Sequence, residues 1–202
     1  MKILVASKNS KKLDELEKIL SGILDDFKLV SLRDFPDIEE VEETGTTFLE
    51  NALLKAKTYS AKTGLPTIAD DSGLMVFALN FRPGVYSARY GGEGMSDADK
   101  CVKLLGEMKP FSKDDDRGAR FVSAVAAAKP GGEVVFSIGT CDGIIITEQR
   151  GDNGFGFDPI FMPEGYDKTF AELDENIKNK ISHRAKALDE IVKFLPDFMN
   201  KS

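Results

Sequence analysis

The chain has 202 residues, 42% of them hydrophobic and 30% charged, with a net charge of −7 and a pI near 4.9. These values suit a globular protein of one domain, or of two lobes sharing a sheet. They exclude a general nucleic-acid binder, which needs a basic face. No apolar run is long enough to span a membrane, and the first residues enter a strand pattern with no signal-peptide layout. Cys101 and Cys141 fit no zinc or redox spacing, so reduced thiols in a cytoplasmic protein are expected.

Residues 2–6 read as a buried strand, followed by Ser7, Lys8, Asn9, Ser10, Lys11 and Lys12 and then a helix with Leu13, Leu16, Ile19 and Leu20 on one face. A strand, a short polar loop and a helix start make an anion site. Lysines there oppose the helix dipole, and a bound phosphate would remove the conflict; a solvated lysine patch is the other reading. The P-loop pattern is absent. A second strand is expected over 27–32, then an acidic loop over 37–43 containing Asp37, Glu39, Glu40, Glu42 and Glu43. Beside an anion site, such a loop invites a metal. A helix over 46–62 follows, with Thr46 or Thr47 as N-cap and Glu50 in its first turn. Gly64 closes it and Pro66 prevents its continuation.

Residues 67–69 are expected to form a strand that ends at Asp70-Asp71-Ser72-Gly73. Adjacent carboxylates repel, and burial raises the cost; Mg²⁺ would relieve it, taking carboxylate oxygens together with substrate phosphates. An ordinary Asp/Ser/Gly turn is the alternative. Residues 74–79 suit a short helix or strand, and 83–92 a loop in which Arg89 is either a phosphate contact or a structural cation. Ser96 caps a helix over 96–108, and 113–117 is a charged turn. Residues 119–129 and 133–140 read as a hairpin around Pro130-Gly131-Gly132, with 143–147 continuing the sheet. Boundaries near 64–66 or 109–110 are possible, although neither resembles a flexible tether. Between 151 and 159, glycines permit close backbone approach, and Phe155 and Phe157 offer stacking faces for a planar base; a glycine-rich turn with core-anchored rings is the plainer reading. Lys178 precedes Ser182, the N-cap of an amphipathic helix carrying Ala185, Leu188, Ile191, Val192 and Leu195. His183 and Arg184 then stand in its first turn, again against the dipole.

The chain resembles the inosine triphosphate pyrophosphatase family. The likeness rests on six ordered blocks: Ser7-x-Asn9-x-x-Lys12; Glu43-Thr44-Gly45-x-Thr47-Phe48-x-Glu50-Asn51-Ala52; Ala69-Asp70-Asp71-Ser72-Gly73; Pro83-Gly84-x-Tyr86-Ser87-Ala88-Arg89-Tyr90; Phe155-Gly156-Phe157-Asp158-Pro159; and Ser182-His183-Arg184. Ser7 replaces a common Thr and Phe157 a common Tyr or Trp, keeping hydroxyl and ring. The resemblance implies an α/β fold in which residues 1–202 form a single two-lobed domain, with a long, twisted mixed sheet flanked by helices and a central cleft. It implies a homodimer that uses Mg²⁺ to hydrolyse ITP, dITP or XTP to the monophosphate and pyrophosphate. Ser7, Lys8, Asn9, Ser10, Lys11 and Lys12 would hold the triphosphate. Asp71 would bind metal and accept a proton, with Glu42 or Glu43 as second ligand and the role of Asp70 open. Ser72, Phe155, Gly156, Phe157, Asp158, Lys178, His183 and Arg184 would contact the nucleotide. A pyrophosphatase for modified pyrimidine or standard nucleotides, and a non-catalytic nucleotide sensor, are the competing expectations. The Phe155–Asp158 and Ser182–Arg184 blocks speak against the first, the paired aspartates and acidic loop against the second.

Overall fold

The structure is a computed structural model that describes residues 1–7, 13, 16, 17 and 27–200. The expected anion-binding residues Lys8, Asn9, Ser10, Lys11 and Lys12 lie outside the described residues. Six strands form one mixed sheet: β1 (Lys2–Val5), β2 (Lys28–Ser31), β3 (Thr67–Val76), β4 (Gly118–Ala128), β5 (Val134–Ile145) and β6 (Phe161–Pro163). Their order is β2-β1-β3-β4-β5-β6. β1 pairs in parallel with both β2 and β3, and β5 pairs antiparallel with β6. Among the described residues the α-helices are α1 (Phe48–Thr63), α2 (Asp97–Glu107), α3 (Glu175–Ile181), α4 (His183–Ile191) and α5 (Leu195–Asn200). The α/β class, with a mixed sheet and flanking helices, is as expected.

The local signals explain most of these elements. Ile3, Leu4 and Val5 are buried as a run, the habit of a parallel strand covered on both faces. The Thr47 side chain accepts the Glu50 N–H (3.1 Å), and the Glu50 carboxylate accepts the Thr47 N–H in return (3.2 Å), so two orphan donors at the start of α1 are satisfied. Gly64, at φ +68°, closes α1 in the left-handed region. Ser96 caps α2 by accepting the Asp99 N–H at 3.1 Å.

Two expectations are corrected. The Asp pair does not end a strand: β3 runs unbroken through Asp70, Asp71, Ser72 and Gly73 to Val76. Gly73 is there because a Cβ would stand 2.4 Å from the Ser87 hydroxyl and 2.6 Å from the Gly84 carbonyl. A glycine that reads as a turn in sequence is a close-packing position in the sheet. The expected C-terminal helix is also divided. Ser182 does cap α4, accepting the Ala185 N–H at 3.2 Å, but α4 stops at Ile191 and α5 restarts at Leu195. A short α3, capped by Asp174, precedes them.

The chain divides into two compact units: Met1–Asp71 with Ser123–Gly139 and Lys186–Ser202, and Ser72–Val122 with Thr140–Ala185. The divisions fall within β3, β4, β5 and α4, not near 64–66 or 109–110. In the first unit Ile3, Val5, Ile68, Val125 and Ala127 pack with Leu188, Ile191, Leu195 and Phe198. In the second, Leu74, Val76, Leu104, Met108 and Ile145 surround Phe121, Phe161 and Phe170. There the Phe121 ring meets Phe161 edge-on at 4.7 Å and stacks with Phe170 at 5.9 Å. Each large apolar side chain so buried contributes about 1.5–3 kcal/mol.

Candidate active site

In the first unit, α1 and the segment before it surround Asp71. Asn51 and Lys55 stand one turn apart on α1, in the same buried stripe as Phe48, Ala52, Ala56 and Tyr59. Asn51 donates from Nδ2 to Asp71 Oδ2 at 3.0 Å and accepts the Gly45 N–H at Oδ1, 2.8 Å away. Lys55 Nζ lies 2.7 Å from Glu43 Oε1 and 3.8 Å from Asp71 Oδ1. The segment before α1 is tied to it at two further points, Val41 N–H to the Tyr59 hydroxyl (3.0 Å) and Thr46 N–H to Glu50 (2.7 Å). Glu43 is half-buried facing Lys55, whereas Glu42 is exposed.

The electrostatics of this group follow from burial. Burial pushes the Asp71 carboxyl up to about 6; Lys55 and the Asn51 hydrogen bond pull it down, while Glu43 and Asp70 push it further up. Burial also opposes the Lys55 ammonium, but Asp71, Glu43 and Asp70 outweigh it and hold its pKa above the ordinary lysine value. Both pKa values therefore sit high, that of Asp71 because burial outweighs Lys55 and Asn51, that of Lys55 because three carboxylates act on it. The cluster offers hard oxygen donors.

In the second unit, the segment 151–158 turns around Asp158. Its carboxylate accepts the Phe155 N–H at 2.8 Å and meets Lys178 Nζ at 2.5 Å. Burial raises the Asp158 pKa, and Lys178, the Phe155 N–H and Arg184 oppose the rise. Gly154, at φ +82°, has no room for a side chain, because a Cβ would stand 2.1 Å from Asp158 Oδ2. The Lys178 ammonium lies over the rings of Phe155 (5.0 Å) and Phe170 (5.5 Å), and the Arg184 guanidinium over Phe155 at 5.4 Å. An Arg184 Nη2 to Ser72 Oγ contact of 3.5 Å completes the group. The His183 ring is buried and stacks on Phe121 at 4.7 Å.

Most second-unit candidates therefore gather around Asp158 and Phe155. One expectation needs correction: Phe157 offers no stacking face. It is 3% exposed, packed edge-on against Tyr90, whereas Phe155 is 49% exposed. Lys178 also proves to lie in the last turn of α3, where a cation complements the dipole. Arg89 is exposed, its guanidinium 5.1 Å above the Tyr86 ring.

Sequence reasoning missed Asn51 and Lys55 as site residues, although both are polar residues within an apolar helical stripe. It also missed α2 as a support. Asp97 Oδ2 accepts the Gly156 N–H at 2.7 Å, and Cys101 Sγ donates to the Gly156 carbonyl at 3.3 Å. Arg117, placed in a charged turn by its neighbours, is buried and donates to the carbonyls of Ile145, Ile146, Met108 and Phe111.

Comparison with known proteins places this geometry in a family. Residues 3–194 match the model of the Ham1 family. The chain is 49% identical to a dITP/XTP pyrophosphatase of Oceanobacillus iheyensis over 195 residues, 96% of this chain and 98% of that one. It is 48% identical to a dITP/XTP pyrophosphatase of Mycobacteroides abscessus over 201 residues, covering 99% and 97% of the two chains. The structure of a HAM1 protein from Coxiella burnetii superposes with a TM-score of 0.90 at 40% identity, over 98% of this chain and 99% of that one. With a family model matching 3–194 and near-half identity along almost its whole length, the chain belongs to the Ham1 family.

Proposed function

We propose that this protein hydrolyses the purine nucleoside triphosphates ITP, dITP and XTP to the nucleoside monophosphate and pyrophosphate, with Mg²⁺, and so clears them from the nucleotide pool. The observation that carries the reading is the near-full-length identity to proteins named dITP/XTP pyrophosphatase. The buried carboxylate cluster at Asp71 supplies the chemistry such a reaction needs.

The donors fit a hard divalent cation: the carboxylate oxygens of Asp71 and Glu43 meet at the Lys55 ammonium. Among the described residues no three His, Cys, Asp or Glu side chains form a closed metal cage. Mg²⁺ does not require one, since one or two carboxylates plus substrate phosphates hold it. Asp71 would hold it, with Glu43 favoured over the exposed Glu42 as second ligand. When bound there, Mg²⁺ neutralises phosphate charge and lowers the pKa of a bound water. Asp71 would take the proton of the attacking water as its oxygen bonds to the α phosphorus and the bond from that phosphorus to the α–β bridging oxygen breaks, releasing pyrophosphate. Lys55 keeps Asp71 ionised and balances the charge of Glu43. Ser7 and the lysines at 8, 11 and 12 would bind the departing phosphates.

Phe155 provides the exposed ring on which a base would stack. Lys178 and Arg184, beside it, are donors suited to the 6-oxo acceptor of hypoxanthine and xanthine. Adenine presents a donor at that position, and a site of donors rejects it. For the assembly we propose a homodimer in the cytoplasm. Exposed Phe77, Phe81 and Tyr86 in the second unit support an interface, and no helix of the described residues is long and apolar enough to cross a membrane. A panel of ITP, XTP, GTP and ATP, with product identification, tests the activity. Pyrophosphate release that EDTA abolishes is expected, with kcat/KM highest for ITP and XTP. Equal values across the four would sink the donor model, and release of orthophosphate would sink the reaction itself.

A further inference from the structure

We propose that Asn51 is a positioning residue for Asp71, holding its Oδ2 so that Oδ1 is the oxygen presented for chemistry on the side of Lys55. This inference rests on the reading of Asp71 as the reacting carboxylate. Asn51 is fully buried and bonded at both ends of its amide: Gly45 N–H to Oδ1 at 2.8 Å, Nδ2 to Asp71 Oδ2 at 3.0 Å. The orientation of the amide is determined by its neighbours. A backbone N–H can only donate, so the Asn51 oxygen must face Gly45 and its NH₂ must face Asp71.

Position 45 is closed against this amide. A Cβ there would stand 2.6 Å from Asn51 Oδ1 and 3.0 Å from the Asn51 backbone nitrogen. The amide is thus braced by the chain before α1, carried by α1 and aimed at β3. A carboxylate turns broadly about its last torsion, and one fixed donor on Oδ2 removes that freedom. Oδ1 is then the oxygen that lies 3.8 Å from Lys55 Nζ. Preorganisation of this kind is worth most where the reacting group is buried and a small misplacement is costly. Only an amide meets both neighbours. A carboxylate at 51 would still accept from Gly45 but would set a lone pair against Asp71, and an aliphatic residue would lose both bonds.

The test separates holding the loop from aiming the carboxylate. Asn51→Asp keeps the acceptor for Gly45 and removes the donor to Asp71. It is expected to lower kcat about a hundredfold while KM for ITP moves by about twofold at most. In metal-free protein, the exchanged pair Asn51→Asp with Asp71→Asn re-forms the bond with donor and acceptor swapped. Its Tm is therefore expected to exceed the sum of the two single changes, with activity still absent. Wild-type kcat in Asn51→Asp overturns the inference, as does a strictly additive Tm in the exchanged pair. Wild-type kcat in Asp71→Asn alone overturns the underlying reading of Asp71, and the inference with it.

Discussion

Replacing Lys55 with Met tests the electrostatic account of the cluster directly. The ammonium is 3.8 Å from Asp71 Oδ1 and 2.7 Å from Glu43 Oε1. At an effective dielectric constant of about 20, the longer contact alone corresponds to about 4 kcal/mol of attraction before desolvation is counted. Each tenfold change in proton affinity is about 1.4 kcal/mol. Losing even half of the attraction therefore moves Asp71 upward by more than a factor of ten, from about 6 to beyond neutrality. The sign for stability follows. A carboxyl raised in the folded state above its ordinary 3.8 to about 6 costs stability when ionised. The penalty is absent below about 3.8 and complete above about 6, so stability is lost as pH rises through that window. The Asp71 carboxyl carbon, followed by NMR in metal-free protein, is expected to titrate near 6 in wild type and well above 7 in Lys55→Met, with Lys55→Arg close to wild type. Activity of Lys55→Met at pH 7 should fall at least about fourfold, because Asp71 would be mostly protonated. A midpoint in Lys55→Met at or below the wild-type value would refute the reasoning.

Other perturbations read different parts of the structure. Arg117→Met removes the side-chain donor shared by the carbonyls of Ile145, Ile146, Met108 and Phe111, of which Met108 still accepts the Phe111 N–H at 3.0 Å; a loss of about 3 kcal/mol, or roughly 6–12 °C in Tm, is expected, and a Tm within about 2 °C of wild type would count against the network. Gly73→Ala drives a Cβ into Ser87 and the Gly84 carbonyl, where Ser87 is already bonded to the Leu74 N–H at 2.9 Å. Urea unfolding should show about 1–3 kcal/mol of destabilisation, and no loss would mean that the segment at 84–87 yields freely. Burial, with Asp97 and Asp158 behind it, pushes the Cys101 thiol up to about 12, so native protein should resist iodoacetamide at pH 8 at this position and react once unfolded. Mass spectrometry reads the site, and rapid native labelling of Cys101 would contradict the Gly156 clamp.

How much of the site was legible depended on whether a residue's chemistry was local. The N-cap of α1, read as Thr46 or Thr47 with Glu50 in the first turn, is a local pattern that the structure resolves to Thr47, and the strand burial of residues 3–5 is a local apolar run that survives intact. The pairing of Lys178 with Asp158, twenty residues away, was not legible as a contact, although each residue was named on resemblance. Phe157 shows the limit from the other side. Nothing local distinguishes its ring from that of Phe155, yet one is core and the other half-exposed.

The sequence by itself determined the α/β class, the caps at Gly64, Ser96 and Ser182, the acidic character of the 37–43 segment and the family to which the chain belongs. These depend on spacing and on residue type. The tertiary structure alone decided that Asp70 to Gly73 lie within a strand, that Glu43 rather than Glu42 faces Lys55, and that Arg117 is a buried donor to four carbonyls. It also decided that Asn51 holds one oxygen of Asp71. Each of those outcomes is set by which partner burial brings within hydrogen-bond reach, and burial is a property of packing between elements that no local pattern encodes.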